Sequence, residues 1–431
     1  MLVEFKVGNF RSFKDMVTLS MVASSDKEHM ETNTIMVDDK LRLLKSATLY
    51  GANASGKSNL FKAMAFMKKF ISTSSKESLS TEKIPVEKFL LSTETEKLPS
   101  TFEIVFIIDT IRYRYGFQVD KERIHNEWLF FVPTIREATL FIREKDKIKL
   151  GSHFKEGKGL ESKTRPNALF LSVADQFNGE ISRGILKWFK DFKIISGVEE
   201  RGYTGFSISK LEDEDKEFKE FILKFLKVAD MGIKELRLVS TPINDEGIFE
   251  GMPEKLRKFI SSKEAEITEF EINTIHQKFD QNNNPLSDEK FDLSDHESAG
   301  TQALFAFSGP IYDVLKNGKV LVIDELTSKL HPLLTRSIIE IFHRYNVGRE
   351  RNSISKAQLL FASHDISILT NQLFRRDQIW FTQKNECEVT DLYSLEEYRK
   401  CKIRKDASFN KNYLLGKYGA IPFIGDIDSL F

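Results

Sequence analysis

Two cysteines in 431 residues, Cys387 and Cys401, leave no material for a disulfide framework and no metal-ligand spacing. A reducing cytosol is the expected compartment, and both are expected to be structural. No apolar run approaches the length of a membrane span. The opening MLVEFKVGNFRSFKD interrupts its apolar residues with charge, which excludes a signal peptide, so a soluble, cytoplasmic chain with no membrane partner is expected. Charge of one sign is missing too: Lys+Arg and Asp+Glu are both 64, for a net charge of zero. Bulk charge therefore cannot coat nucleic acid or an anionic surface, and any such binding must come from local patches. No repeat or low-complexity tract is present. No Asn-Lys-x-Asp base-recognition motif occurs, which argues against a GTPase.

What is present is Gly51-Ala-Asn53-Ala-Ser55-Gly56-Lys57-Ser58, which fits the phosphate-loop pattern G-x-x-x-x-G-K-[ST] at every fixed position. Glycines let backbone N–H groups close around a β-phosphate, Lys57 can reach the β- and γ-oxygens, and the Ser58 hydroxyl can ligate Mg²⁺. The context agrees. Ala47-Thr-Leu-Tyr50 reads as a short buried strand leading in, and Asn59 to Phe70 carries apolar residues at helical spacing leading out. Gly51, Asn53, Ser55, Gly56, Lys57, Ser58 and Asn59 are the candidate nucleotide-binding residues.

A chain of this length exceeds one typical core. Alternation at Val3, Phe5, Val7 and again at Val17, Leu19, Met21 predicts two strands, and alternation on either side of Asp109-Thr110 predicts a tight hairpin. From about Ile181 to Leu236 the periodicity turns helical, followed by short strand patterns and the polar turn Asp280–Pro285. The expected organisation is a first lobe over 1–180, an inserted helical subdomain with short strands over 181–290, and a second lobe over 291–431.

Three distant segments complete the site. Lys319-Val-Leu-Val-Ile-Asp324-Glu325 is a buried strand run ending in two carboxylates: Asp324 can hold Mg²⁺ and Glu325 can polarise the attacking water. Gln358-Leu-Leu-Phe-Ala-Ser-His364 is another apolar run, ending in a histidine able to sense a γ-phosphate. Glu297-Ser298-Ala-Gly300-Thr-Gln302 lies at the start of a helix, where N–H groups favour anions. Together these resemble the ABC-type ATPases, which include transporter cassettes and SMC-like proteins. The resemblance implies a two-lobed P-loop ATPase head of α/β class, with mixed and parallel sheets flanked by helices. It implies ATP and Mg²⁺ as cofactors, catalysis by Glu325, His364 and Lys57, and metal contacts from Ser58, Asp324 and a glutamine. Gln176 is the preferred glutamine; Gln118 is the other choice. It further implies a homodimer or higher homo-oligomer in which Ser298 and Gly300 meet the ATP held by the opposite protomer.

The opening Val7-Gly-Asn9-Phe10-Arg11-Ser12-Phe13 resembles SMC-like and RecF-like DNA-repair ATPases more than transporters. The insertion shows no sustained heptads, so no long coiled coil is expected. Leu330-His331-Pro332, Arg375-Arg376-Asp377-Gln378-Ile379-Trp380-Phe381 and Tyr413–Pro422 resemble compact AAA-type ATPases related to OLD-family proteins. Many of those serve bacterial anti-phage and abortive-infection systems. The segment after His364 is too short for the TOPRIM nuclease that OLD-like relatives carry, so the effector, a TOPRIM-like or HNH-like nuclease or a toxin, is expected to be a separate chain. Thr327 and His331 depart from the acidic residues common in relatives. Two other readings stand beside this one: a compact DNA-repair ATPase clamping DNA, and a slow-turnover scaffold sequestering an effector. Nucleic acid could be met through the basic run Arg399–Lys405, which more simply reads as a solvated face.

Overall fold

The computed structural model describes residues 1–422 apart from 77–78, 80, 199–200, 214, 229–231, 243–267, 346–354 and 399–407. Two compact units result: Met1–Val198 with Asp313–Phe431, and Glu199–Tyr312. The fold class is α/β as the sequence implies, with parallel and antiparallel sheets flanked by helices. No described helix exceeds 19 residues, too short for a coiled-coil arm, and none is long and apolar enough to cross a membrane.

The first unit wraps two sheets around one helix. Its six-stranded sheet runs in the order Lys193–Ser196, Val320–Asp324, Gln358–Ala362, Ser46–Tyr50, Ile379–Lys384, Thr390–Ser394. The first five strands are parallel and the last is antiparallel. Every residue of Ser46–Tyr50 and Gln358–Ala362 is buried, and in the second strand this shows as the continuous apolar run Leu359-Leu-Phe-Ala362. Register pairs Ile323 with Phe361, Ala362 with Leu49 and Phe381 with Tyr50, so the carboxyl ends of these strands come level. A seven-stranded antiparallel sheet covers the other side; its Ser100–Ile108 and Ile111–Val119 strands are joined at Asp109-Thr110, as the alternation predicts. Between the sheets lies helix Lys57–Thr73, burying Leu60, Phe61, Met64, Met67, Phe70 and Ile71 in a core shared with Phe102, Phe117, Val322 and Leu360. Each such side chain removed from water contributes about 1.5–3 kcal/mol.

Buried polar groups tie the sheets together. Gln358 donates to the carbonyls of Leu2 (3.0 Å) and Leu44 (3.1 Å) and accepts from the Leu2 N–H (2.6 Å). The Arg375-Arg376-Asp377-Gln378 motif is structural: the buried Arg375 guanidinium pairs with Asp377 and donates to the carbonyls of Asp26 and Glu28.

The second unit contains helices Arg201–Glu212 and Lys216–Val228 and a three-stranded antiparallel sheet, Glu235–Pro242, Thr268–Phe279 and Pro285–Asp292. The last two strands turn at Asp280–Asn284, where Asn283 is left-handed. The compact units divide the chain at Val198 and Tyr312, not at 180 and 290. Helix Glu180–Asp191 therefore belongs to the first unit. The helical reading of Ile181 to Leu236 also misses a strand: Lys193–Ser196 is the edge of the parallel sheet, and four residues are too few to show a period of their own. Cys387 is exposed on a turn, so burial gives it no structural role, and Cys401 lies outside the described residues. So does the whole basic run Arg399–Lys405.

Candidate functional site

Three parallel strands deliver their carboxyl-terminal loops to one place, where ligands of open α/β sheets bind. Tyr50 leads into the phosphate loop, Asp324 into Glu325, and Ala362 into Ser363-His364. Asn53, Ala54, Ser55, Gly56, Lys57, Ser58, Asn59, Glu325 and His364 line a single cleft of about 470 Å³, together with Lys384. Gly51 stands at the loop's entry, packed against Thr382.

The loop is held from behind. Ser55 Oγ lies 2.6 Å from Thr382 Oγ1, and the Thr390 hydroxyl donates to the Ser55 carbonyl at 2.9 Å. Gly56 caps helix Lys57–Thr73 with φ 113°, a left-handed backbone, and a Cβ there would sit 2.6 Å from Thr390. Asn59 donates to Ser12 Oγ at 2.9 Å, and Thr390 N–H donates to the Ser12 carbonyl at 2.8 Å. The opening Asn9-Phe-Arg-Ser-Phe13 turn thus braces the loop. Asn9 itself is pinned by donating to the carbonyls of Thr95 and Leu98.

Lys57 is buried and donates to the carbonyls of Gly51 (2.8 Å) and Ala52 (2.9 Å). Burial pushes its pKa down to about 8, with Asp324 and Glu325 opposing the shift. Burial likewise pushes the Asp324 carboxyl up, Glu325 adding to the shift while the neighbouring Ser58 hydroxyl works against it. Its Oδ1 is buried with no hydrogen-bond partner among the described residues. A buried carboxylate oxygen left unpaired beside a serine hydroxyl is costly alone and fits a hard cation. Ser58 and Asp324 therefore suit Mg²⁺. Partial burial and Lys57 lower the His364 pKa, favouring a neutral ring.

Glu325 is a non-glycine residue in the left-handed region, with φ 60°. Its turn is fastened on both sides: Gly197 N–H donates to the Asp324 carbonyl at 2.6 Å, Ser328 Oγ donates to the Gly197 carbonyl at 3.0 Å, and Leu326 N–H donates to the Ala362 carbonyl at 3.3 Å. A Cβ on Gly197 would lie 2.1 Å from the Glu325 carbonyl oxygen. On the neighbouring loop, Ser363 N–H donates to the Leu49 carbonyl at 3.0 Å and Tyr50 Oη donates to the Asp365 carbonyl at 2.9 Å, bracketing His364.

Gln176 is not brought to this site. It ends helix Phe170–Gln176, is exposed, and donates to the Ser75 carbonyl at 3.1 Å. Ser75 follows the far end of the phosphate-loop helix, about 25 Å from Ser58 at 1.5 Å per residue. The expected metal contact through Gln176 is corrected accordingly. Gln118, the other choice, is tied into the antiparallel sheet by Thr101 and Asn126. Ser298 and Gly300 belong to the second unit, where Ser298 Oγ accepts from Thr301 N–H at 3.2 Å and caps the helix beginning at Ala299. Glu297, just before them, accepts from Thr274 Oγ1 (2.6 Å) and lies 2.7 Å from His276 Nε2. His331 caps helix Pro332–Arg344 through Nδ1. Sequence reasoning missed Gly197, Thr382, Thr390 and Lys384. The hairpin that carries the last three shows no recognisable motif.

Among solved structures, similar ones include the SMC head domain from Thermotoga maritima, at 12% identity and TM-score 0.39, covering 91% of this chain and 98% of that one. Another is the Smc head domain with an extended coiled coil bound to the C-terminal domain of ScpA, derived from Pyrococcus furiosus, at 11% identity and TM-score 0.34, covering 96% and 98%. No curated protein matches. Residues 46–370, from the start of the phosphate-loop strand past His364, match the family described as "AAA domain, putative AbiEii toxin, Type IV TA system". The match spans most of the chain, which belongs to that family of AAA domains.

Proposed function

We propose that the chain binds and hydrolyses ATP, and that nucleotide-driven dimerisation of two copies controls a separate effector in bacterial anti-phage defence. The observation carrying the ATPase reading is the cleft itself, where a braced phosphate loop, an unpaired Asp324 Oδ1, Glu325 and His364 converge. The loop's N–H groups and Lys57 hold the phosphate oxygens, Lys57 exchanging its bonds to Gly51 and Ala52 for them. Ser58 and Asp324 would hold Mg²⁺, which would supply positive charge to the bound phosphates. Glu325 orients the attacking water, and His364 faces the γ-phosphate. Ser298 and Gly300 of a second copy present their helix start to that phosphate, so closure follows ATP binding and opening follows hydrolysis. The family's description as part of a toxin–antitoxin type supports pairing with a second component. That component is a nuclease or a toxin in this reading.

Replacing Glu325 by Gln should keep ATP binding, reduce turnover by about a thousandfold, and trap a dimer with ATP. Phosphate release and light scattering with and without ATP check this. Parental turnover in that variant would remove Glu325 from its role, and a monomer that holds ATP would remove the dimer.

A further inference from the structure

The cleft contains a cation that the phosphate-loop pattern does not include. Lys384 lines it beside Asn53 to Asn59, and its position follows from the sheet. Strand Ile379–Lys384 runs parallel to Ser46–Tyr50, with Phe381 level with Tyr50, so residues beyond Phe381 continue alongside the phosphate loop. Side chains two apart on a strand share a face. Thr382 uses its side chain to hold Ser55 at 2.6 Å, and Lys384, two residues on, emerges on that same face. Across the hairpin Lys384 is in register with Thr390, whose hydroxyl holds the Ser55 carbonyl. Both nearest neighbours of Lys384 in the sheet are therefore fastened to the loop. The lysine is half-buried, and its ammonium pairs with Glu388 across the exposed turn.

This strand flanks Ser46–Tyr50 on the side opposite Gln358–Ala362, which carries His364. Glu325 and His364 thus approach the cleft from one side and Lys384 from the other. A cation so placed, whose partner among the described residues is a surface carboxylate, is available to an anion that enters the cleft.

We infer that Lys384 is a phosphate-binding residue of the nucleotide site and that Glu388 competes with the triphosphate for it. The inference rests on the ATP-binding reading above and adds a ligand group to it. On binding, Lys384 leaves Glu388 and donates to a phosphate oxygen; the contact is charge-assisted on both sides of the exchange. Replacing Lys384 by Ala should weaken binding of a fluorescent ATP analogue about tenfold in the presence of Mg²⁺. Lys384→Arg should restore most of it, and Glu388→Gln should tighten it severalfold. The unfolding midpoint without nucleotide should be unchanged in all three, which a merely structural ion pair would not give alongside opposite effects on affinity.

Parental and Lys57→Ala proteins separate the two ways of failing. If the parental chain does not bind the analogue, or binds it no better than Lys57→Ala, the ATP-binding reading falls. If the parental chain binds through Lys57 but Lys384→Ala binds equally well, or Glu388→Gln weakens binding, the role of Lys384 is overturned and that reading stands.

Discussion

The strand Ser46–Tyr50 has a lysine, a serine and a histidine at each end, put to opposite uses. At its amino end, Lys45 donates to the His343 carbonyl at 2.6 Å, Ser46 Oγ lies 2.8 Å from His343 Nε2, and Gln378 donates to Ser46 Oγ at 2.8 Å. These groups are buried and occupied with one another. At its carboxyl end, Lys57, Ser58 and His364 line an open cleft next to an Asp324 oxygen with no partner among the described residues and a Glu325 held at positive φ. Residue type does not distinguish the two sets. What does is whether the polar groups satisfy each other or are left for a ligand, and the carboxyl ends of parallel strands are where they are left.

Paired substitutions should break the symmetry most sharply. Ser58→Ala should cut Mg²⁺-dependent ATP turnover by about a hundredfold or more and leave the unfolding midpoint alone. Ser46→Ala should do the reverse, costing about 1–3 kcal/mol of stability by depriving His343 and Gln378 of a partner while turnover per folded molecule holds. Comparable losses of turnover in both would mean that the amino end also takes part in the reaction.

A smaller effect is expected where the two flanking loops meet. Gly197→Ala puts a methyl against the Glu325 carbonyl, so turnover should fall by about ten- to thirtyfold through misplacement of that carboxylate. ATP affinity should change less than threefold, and steady-state kinetics beside equilibrium binding will show whether the two separate.

The pH dependence of folding sharpens the comparison with the least perturbation. Burial lowers Lys45 to about 8 and His343 to about 3 from their ordinary 10.5 and 6.5. The unfolded chain then binds more protons than the folded one from pH 3 to 6.5 at His343 and from 8 to 10.5 at Lys45. Stability contributed by each rises with pH across its own window. Lys45→Met should flatten the upper window, raising stability at pH 7 relative to pH 10 when denaturant midpoints are compared. An unchanged slope would show that Lys45 is solvated.

Much of this was legible without coordinates, because the reactive end of the sheet is built from contiguous signals. A phosphate loop must follow a buried strand and open a helix, and Asp324-Glu325 and His364 each close an apolar run of the length a central parallel strand needs. The supporting groups are illegible for the same reason in reverse. Thr382 and Thr390 matter only because distant register sets them against Ser55, and Gly197 only because a four-residue strand pairs beside Asp324. Gln176 misled because a glutamine's role depends on which end of a neighbouring helix it reaches, which local pattern does not encode.

The sheet order also dictates when the nucleotide site can exist. Ser46–Tyr50 lies between Gln358–Ala362 and Ile379–Lys384, strands encoded roughly three hundred residues later. During synthesis at about 5–20 residues per second, its two edges stay unpaired for roughly 15–60 s. An unpaired apolar strand of this kind is an open template for other chains. The nascent protein therefore emerges with its phosphate loop unsupported and this strand exposed, and the loop gains its flanking strands only once residue 384 has been made.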